Sequence, residues 1–141
     1  MLAMCSLPTR IATILAGTYL GEYILHNVDD HRRIFVGLAS LVLARIIDHR
    51  ATIPVIKKMN TPEFKRHNLD KDFGESNPFL GKHPTIKQYI TRTIPLELLI
   101  LGMTYHIPLM GTTYLAISPI VYRNNTDARK AIDKRISQQG Q

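Results

Sequence analysis

The chain has 141 residues, with 18 Lys and Arg against 11 Asp and Glu, a net charge of +7, and 45% hydrophobic residues. That is one domain's worth of chain, long enough to bury a core. The single cysteine, Cys5, excludes a disulfide framework and a cysteine-based metal site. The charge is unevenly spread. Eight basic residues face four acids from Arg50 to Lys87, and five face two from Arg123 to Gln141. In the 29 residues from Ile94 to Tyr122, Glu97 is the only charged side chain, histidine aside. Such segregation points to a membrane protein more than to a nucleic-acid binder, whose basic side chains would cluster with aromatics on one face.

The first predicted helix runs from about Pro8 to His26. Arg10 followed by "IATILAGTYLGEYIL" has the look of a signal region, but Glu22 interrupts it and no small-x-small cleavage site follows, so it is expected to be retained. The second predicted helix holds "IFVGLASLVLARIID", Ile34 to Asp48, and reaches Thr52 before Pro54 disturbs it. "VIKKM" then reads as an amphipathic end on a surface. A polar stretch follows from Asn60 to His83. Within it "NTPEF" offers Thr61 as N-cap and Pro62 at the first helical position of a short surface helix.

The third long helix opens at "PTIKQ", where Thr85 and Gln88 have capping-box spacing, and continues to about Tyr105. "HIP" is the turn, and Ile107 to Tyr122 forms the fourth helix. The sequence therefore predicts an all-α, four-helix domain over residues 1–122 with a polar loop between helices two and three. Residues 123–141 are expected to be a basic polar tail, weakly helical and fading into disorder.

The apolar part of the second helix, Ile34 to Ile47, spans about 21 Å against roughly 30 Å of hydrocarbon. Pro95, Gly102, Pro108, Gly111 and Pro119 punctuate the last two apolar segments, a composition more at home in lipid than in a soluble helix. The expectation is a membrane-embedded bundle in a bacterial inner membrane. The basic loop, the basic tail and both termini would share the cytoplasmic side.

The stretch "ESNPFLGKHPT", Glu75 to Thr85, resembles a Glu-x-Asn-Pro-aliphatic-Leu-Gly-x-His-Pro-Ser/Thr motif in a family of small, mostly uncharacterised membrane proteins of bacteria and their phages. Upstream, relatives carry a helix ending in Asp-x-x-x-Thr, and here "DHRAT" places Asp48 and Thr52 at that spacing. The similarity covers roughly Ile34 to Tyr122. It departs where relatives have Trp, Gly and Gln: these are His49, Arg50 and Ala51 here. The spacer to Glu75 is long, and no counterpart is placed for a His-Asn pair that relatives often carry in the last helix. The resemblance implies a fold and brings no known reaction.

On the residues themselves, Asp48 and Thr52 share a helical face with Arg45 within a turn. The prolines after Asn77 and His83 hold both in extended geometry, so Asp48, Thr52, Glu75, Asn77 and His83 form the candidate site. Such a group could bind a divalent ion or act as an acid–base pair; helix capping and turn chemistry explain the same residues without either. Glu22, Arg45 and Glu97 are the charged groups expected inside the membrane, with Glu22 or Glu97 against Arg45.

The expected function is non-enzymatic binding of a partner in or at the inner membrane, with lipid contact, in keeping with phage-encoded modulation of a host membrane process. The alternatives are a membrane-embedded hydrolase built on Asp48, Glu75 and His83, and a soluble basic helical protein that binds nucleic acid.

Overall fold

The computed structural model describes residues 7–69, 72–74 and 80–139. Among these the chain is all-helical: α1 (Leu7–His26), α2 (Asp30–Met59), the short α3 (Pro62–Arg66), α4 (Ile86–His106) and α5 (Pro108–Gln139). The local signals act where expected. Thr61 caps α3 by accepting from the Phe64 N–H, and Thr85 and Gln88 form a reciprocal capping box at the start of α4. Ile107 alone separates α4 from α5, so the two helices fold back at once.

Two boundaries differ from the sequence expectation. Helix two does not stop before Pro54: α2 is 30 residues long and carries Pro54 inside it. An interior proline costs about 3 kcal/mol in a free helix. Here the turn that contains it buries Val55, Ile56 and Met59 completely or nearly so, and that burial offsets the lost hydrogen bond. The expected polar tail is likewise the second half of α5, a single helix of 32 residues. Asn125, Ala128 and Ile132 recur along it at helical spacing, and all three are buried. Its charges are exposed, except Asp133, which meets Lys58 of α2.

The helices alternate in direction. Gly17 of α1 faces Ile117 and Thr113, and Gly21 faces Thr112, so α1 runs antiparallel to α5. Gly37 of α2 meets Pro108, Thr52 meets Asn125 and Lys58 meets Asp133, so α2 runs parallel to it. Helix α4 returns antiparallel to α2, and α5 is the hub, packed along α2 and α1.

The bundle has two unlike halves. One end holds a closed apolar core of Val55, Ile56, Met59, Phe64, Leu69, Leu80, Tyr89 and Ile132, roofed by α3 and the chain that enters α4. We call it the lobe. At the other end the interior is made of small and hydroxyl side chains: Gly17, Gly21, Gly37, Ser40, Ala44, Thr104, Gly111, Thr112 and Ser118 are buried. Leu25, Leu41 and Ile100 are buried among them, but most of the large apolar side chains of this half point outward. Leu15, Tyr19, Phe35 and Leu98 are 65%, 76%, 74% and 63% exposed. Among the described residues no large hydrophobic is exposed between Ala51 and Tyr89 or after Tyr122.

The spanning helices expected from the sequence are not supported on the ground of single-helix apolarity: among the described residues, no helix is long and apolar enough to cross a membrane. The reason is visible in the sequence. Glu22 breaks the apolar run of α1, Asp48 and Arg50 that of α2, and Arg92 and Glu97 that of α4.

Candidate functional site

The charged side chains facing between α2 and α4, with Thr52, gather at the seam of the apolar half with the lobe. Arg45, Asp48, His49 and Thr52 fall within two turns on one side of α2, at spacings that bring helical neighbours together. The Thr52 hydroxyl donates to Asp48 Oδ1 at 3.0 Å and accepts from Asn125 Nδ2 of α5 at 2.8 Å. Asn125 is 1% exposed, so this three-membered chain crosses the interior of the molecule. Its Oδ1 has no hydrogen-bond partner.

His49 makes the second connection, to α4. Its Nδ1 lies 2.9 Å from the Tyr89 hydroxyl and its Nε2 lies 3.1 Å from Glu97 Oε1. The neutral tautomer that satisfies both has Nε2–H donating to the carboxylate and Nδ1 accepting from the phenol. Tyr89 belongs to the lobe core, and its hydroxyl is held protonated well above the ordinary phenol range. Burial is the first cause, and the charges of Asp48 and Glu97 add to it. Arg45 reaches Asp48 Oδ2 at 3.8 Å, a long ion pair, and lies 5.0 Å from the centre of the Tyr114 ring.

The expected pairing of Arg45 with Glu22 or Glu97 is therefore not what forms: Arg45 takes Asp48, Glu97 takes His49, and Glu22 sits exposed on α1. An i, i+3 neighbour is simply closer to Arg45 than a carboxylate on another helix. Asp48 and Thr52 are brought together as expected. His83 is not beside them. It packs edge-on against Phe64 at 5.9 Å and lines a hollow of about 380 Å³ with Met59, Asn60 and Lys65. Along α2, Asp48 lies about 16 Å of helical rise from Met59. Glu75 and Asn77 lie outside the described residues. The part of their stretch that is described is tied down: Asn60 donates to the Pro84 carbonyl at 3.0 Å, and Arg92 to that of Leu80 at 2.9 Å.

Asn125, His49 and Tyr89 were missed by sequence reasoning. Asn125 sits in a run that reads as tail, and nothing in "RNNTDAR" marks which asparagine turns inward. The buried i, i+3, i+7 pattern of Asn125, Ala128 and Ile132 was the available signal.

A second missed feature is how the helices approach one another. Gly17 and Gly21 form a small-x-x-x-small pair facing α5. A Cβ at Gly21 would lie 2.8 Å from Thr112 Oγ1 and 2.9 Å from the Thr113 nitrogen. One at Gly111 would run into the Gly37 carbonyl. Small residues at these positions let the helix backbones approach closely.

Among the described residues no three His, Cys, Asp or Glu converge as metal ligands. What these residues form is a cross-braced polar belt joining α2, α4 and α5 inside an otherwise small-residue interior. Comparison with protein families, with curated proteins and with solved structures finds no match to this chain.

Proposed function

We propose that this protein is a non-enzymatic membrane protein that works by associating with a partner in or at a bacterial inner membrane, its apolar half seated in lipid and its lobe at the cytoplasmic surface. One observation carries the reading: large apolar side chains are exposed on α1, α2, α4 and α5 at one end of the bundle and nowhere on the lobe. A water-soluble bundle would bury most of those leucines; here only Leu25, Leu41 and Ile100 of the described large apolar side chains of this half are buried, among small and hydroxyl residues. A protein partner would cover one side of the bundle. Lipid covers all of them.

The charged residues that lower the mean hydropathy of α2 and α4 do not undo this argument. Glu97 and His49 are paired across the two helices, as are Arg45 and Asp48 along α2, and all four are half-buried, while the exposed Arg50 and Arg92 lie at the lobe end of those segments. Interior hydroxyls are satisfied within their own helices, as when Thr104 donates to the Ile100 carbonyl and Ser118 to that of Leu115. The exposed apolar zone is short, about 18 Å on α1 and about 22 Å on α4. A bilayer accommodates that difference by thinning, at fractions of a kcal/mol per Å.

The lobe carries the basic residues, Lys57, Lys65, Arg66, Arg129 and Lys130 among them, all exposed. That excess suits a cytoplasmic face against anionic headgroups, with the start of α1 and the end of α5 on the same side. The resemblance of "DHRAT" and "ESNPFLGKHPT" to small membrane proteins of bacteria and phages supports the same setting.

Alkaline carbonate extraction of membranes from cells expressing the chain tests the reading. Retention in the pellet is expected. Release into the supernatant overturns it and leaves a soluble bundle, for which nucleic-acid binding that weakens steeply with salt becomes the next measurement.

A further inference from the structure

The contacts between the four long helices fix their register, and that register puts an arginine of each helix at one level of the bundle. Gly21 of α1 faces Thr112 of α5. The two helices are antiparallel, so Arg10, eleven residues before Gly21, is level with Arg123, eleven residues after Thr112. Thr52 of α2 bonds Asn125 of the parallel α5, and two residues before each stand Arg50 and Arg123. His49 lies between Tyr89 and Glu97 of α4, whose midpoint is Thr93, so its neighbour Arg50 is level with Arg92. The exposed large apolar side chains end at Ile11, Ile46, Ile90 and Tyr122, each within about one turn of the arginine on its own helix.

A second level lies at the far end of the apolar half. Tyr23 of α1 is thirteen residues from Arg10, Phe35 of α2 fifteen from Arg50, and Tyr105 of α4 thirteen from Arg92. All three lie about 20–23 Å from the arginine level at 1.5 Å per residue. They are 63%, 74% and 55% exposed. An apolar zone bounded by cations at one rim and aromatic rings at the other matches the two interfaces of a bilayer. A partner protein on one side would call for no level shared by four helices.

The chemistry of the basic rim selects its ligand. Arg50 and Arg123 are exposed, and so is Arg92, which donates to the Leu80 carbonyl. Arg50 has no ion-pair partner among the described residues. Arg123 has a loose one, Asp127 at 3.8 Å, with both side chains mostly exposed. The rim holds arginine on every helix, and a guanidinium grips a phosphate through two parallel N–H···O bonds where a lysine offers a point charge. Beyond the rim, the exposed basic residues of the lobe favour an anionic leaflet.

We infer that this rim is a binding site for the phosphodiester groups of anionic phospholipids, with Arg50 and Arg123 as its principal ligands, and that it sets the depth of the bundle in the bilayer. The inference rests on the reading that the apolar half sits in lipid, and it adds the ligand and the level.

The chain has no tryptophan, so a single introduced one reports depth. The full-length protein is reconstituted into vesicles of phosphatidylcholine and phosphatidylglycerol containing lipid brominated at a known carbon of the acyl chain. Tyr122→Trp, at the rim, should be quenched most by bromine near the headgroup. Leu99→Trp, midway along α4 between the two rims, should be quenched most by bromine near the chain end. Equal quenching profiles overturn the proposed levels. The ligand is tested by native mass spectrometry of the protein in mild detergent with phosphatidylglycerol. Arg50→Gln/Arg123→Gln should weaken the adduct by about tenfold or more, as expected for the loss of charge-assisted hydrogen bonds. Arg129→Gln/Lys130→Gln removes the same charge farther along α5 and should leave the adduct nearly unchanged. All four side chains are exposed, so neither variant touches the core. Equal loss in both overturns the site, as does no loss in the rim variant. Displacement of the lipid by an equal concentration of inorganic phosphate overturns the assignment to a lipid headgroup. Carbonate release of the wild type would instead remove the membrane reading itself, so the two failures are distinguishable.

Discussion

Thr52 is the residue on which the interior polar chain turns, since its one hydroxyl both donates to Asp48 and accepts from Asn125. Thr52→Val keeps the shape, strips Asp48 Oδ1 of its donor and leaves the buried Asn125 amide without its acceptor; the expected loss is about 1–3 kcal/mol. Asn125→Leu should cost less, because it also removes an oxygen that has no partner in the wild type. The double variant should be more stable than the sum of the two predicts, with a coupling of about 0.5–3 kcal/mol, read from chemical denaturation of all four proteins. Additivity would mean that the two side chains do not act as a unit. Half of this arrangement was legible in the sequence. Asp48 and Thr52 are four residues apart on one helix, and helical geometry alone joins them. Asn125 was not, because a contact across 73 positions depends on how α2 and α5 align, and no local pattern states that.

At the scale of the helices, the signals read correctly were those that act within one turn: the Thr61 cap, the Thr85–Gln88 box and the break at Ile107. The errors came where packing overrides propensity. Pro54 and the polar run after Tyr122 are poor helix by local rules, and both are held helical by the lobe core. The glycines of the apolar half were read as composition typical of lipid rather than as contacts. Two of them now separate those meanings. Gly111→Ala places a methyl against the Gly37 carbonyl, so α2 and α5 must move apart; a destabilisation of about 1–3 kcal/mol is expected. Gly102 has nothing within 4 Å of an added methyl, and Gly102→Ala should stabilise α4 by about 0.5–1 kcal/mol. Equal responses of the two variants would show that the α2–α5 approach is looser than the structure has it.

For the molecule as a whole, the question is what surrounds the apolar half, and exposed residues there can answer it without disturbing the fold. Leu15 on α1, Leu43 on α2 and Leu99 on α4 are 65%, 49% and 59% exposed and lie on three different helices. If water surrounds them, replacing all three by lysine is a surface change, worth within about 0.5 kcal/mol each and improving solubility. If hydrocarbon surrounds them, each lysine costs up to about 2.5–3.5 kcal/mol near the middle of a span, less where the side chain can reach the interface. The triple variant should then fail to be retained in carbonate-washed membranes, while Gln138→Lys on the lobe behaves as wild type. A partner protein covering one side predicts a third pattern, in which only one of the three single substitutions has an effect. The charge segregation read from the sequence anticipated two unlike halves. It did not say which side chains face outward, because that depends on the close α1–α5 and α2–α5 contacts that leave little interior for large side chains. The triple variant tests directly whether water, a partner or lipid surrounds the outward leucines.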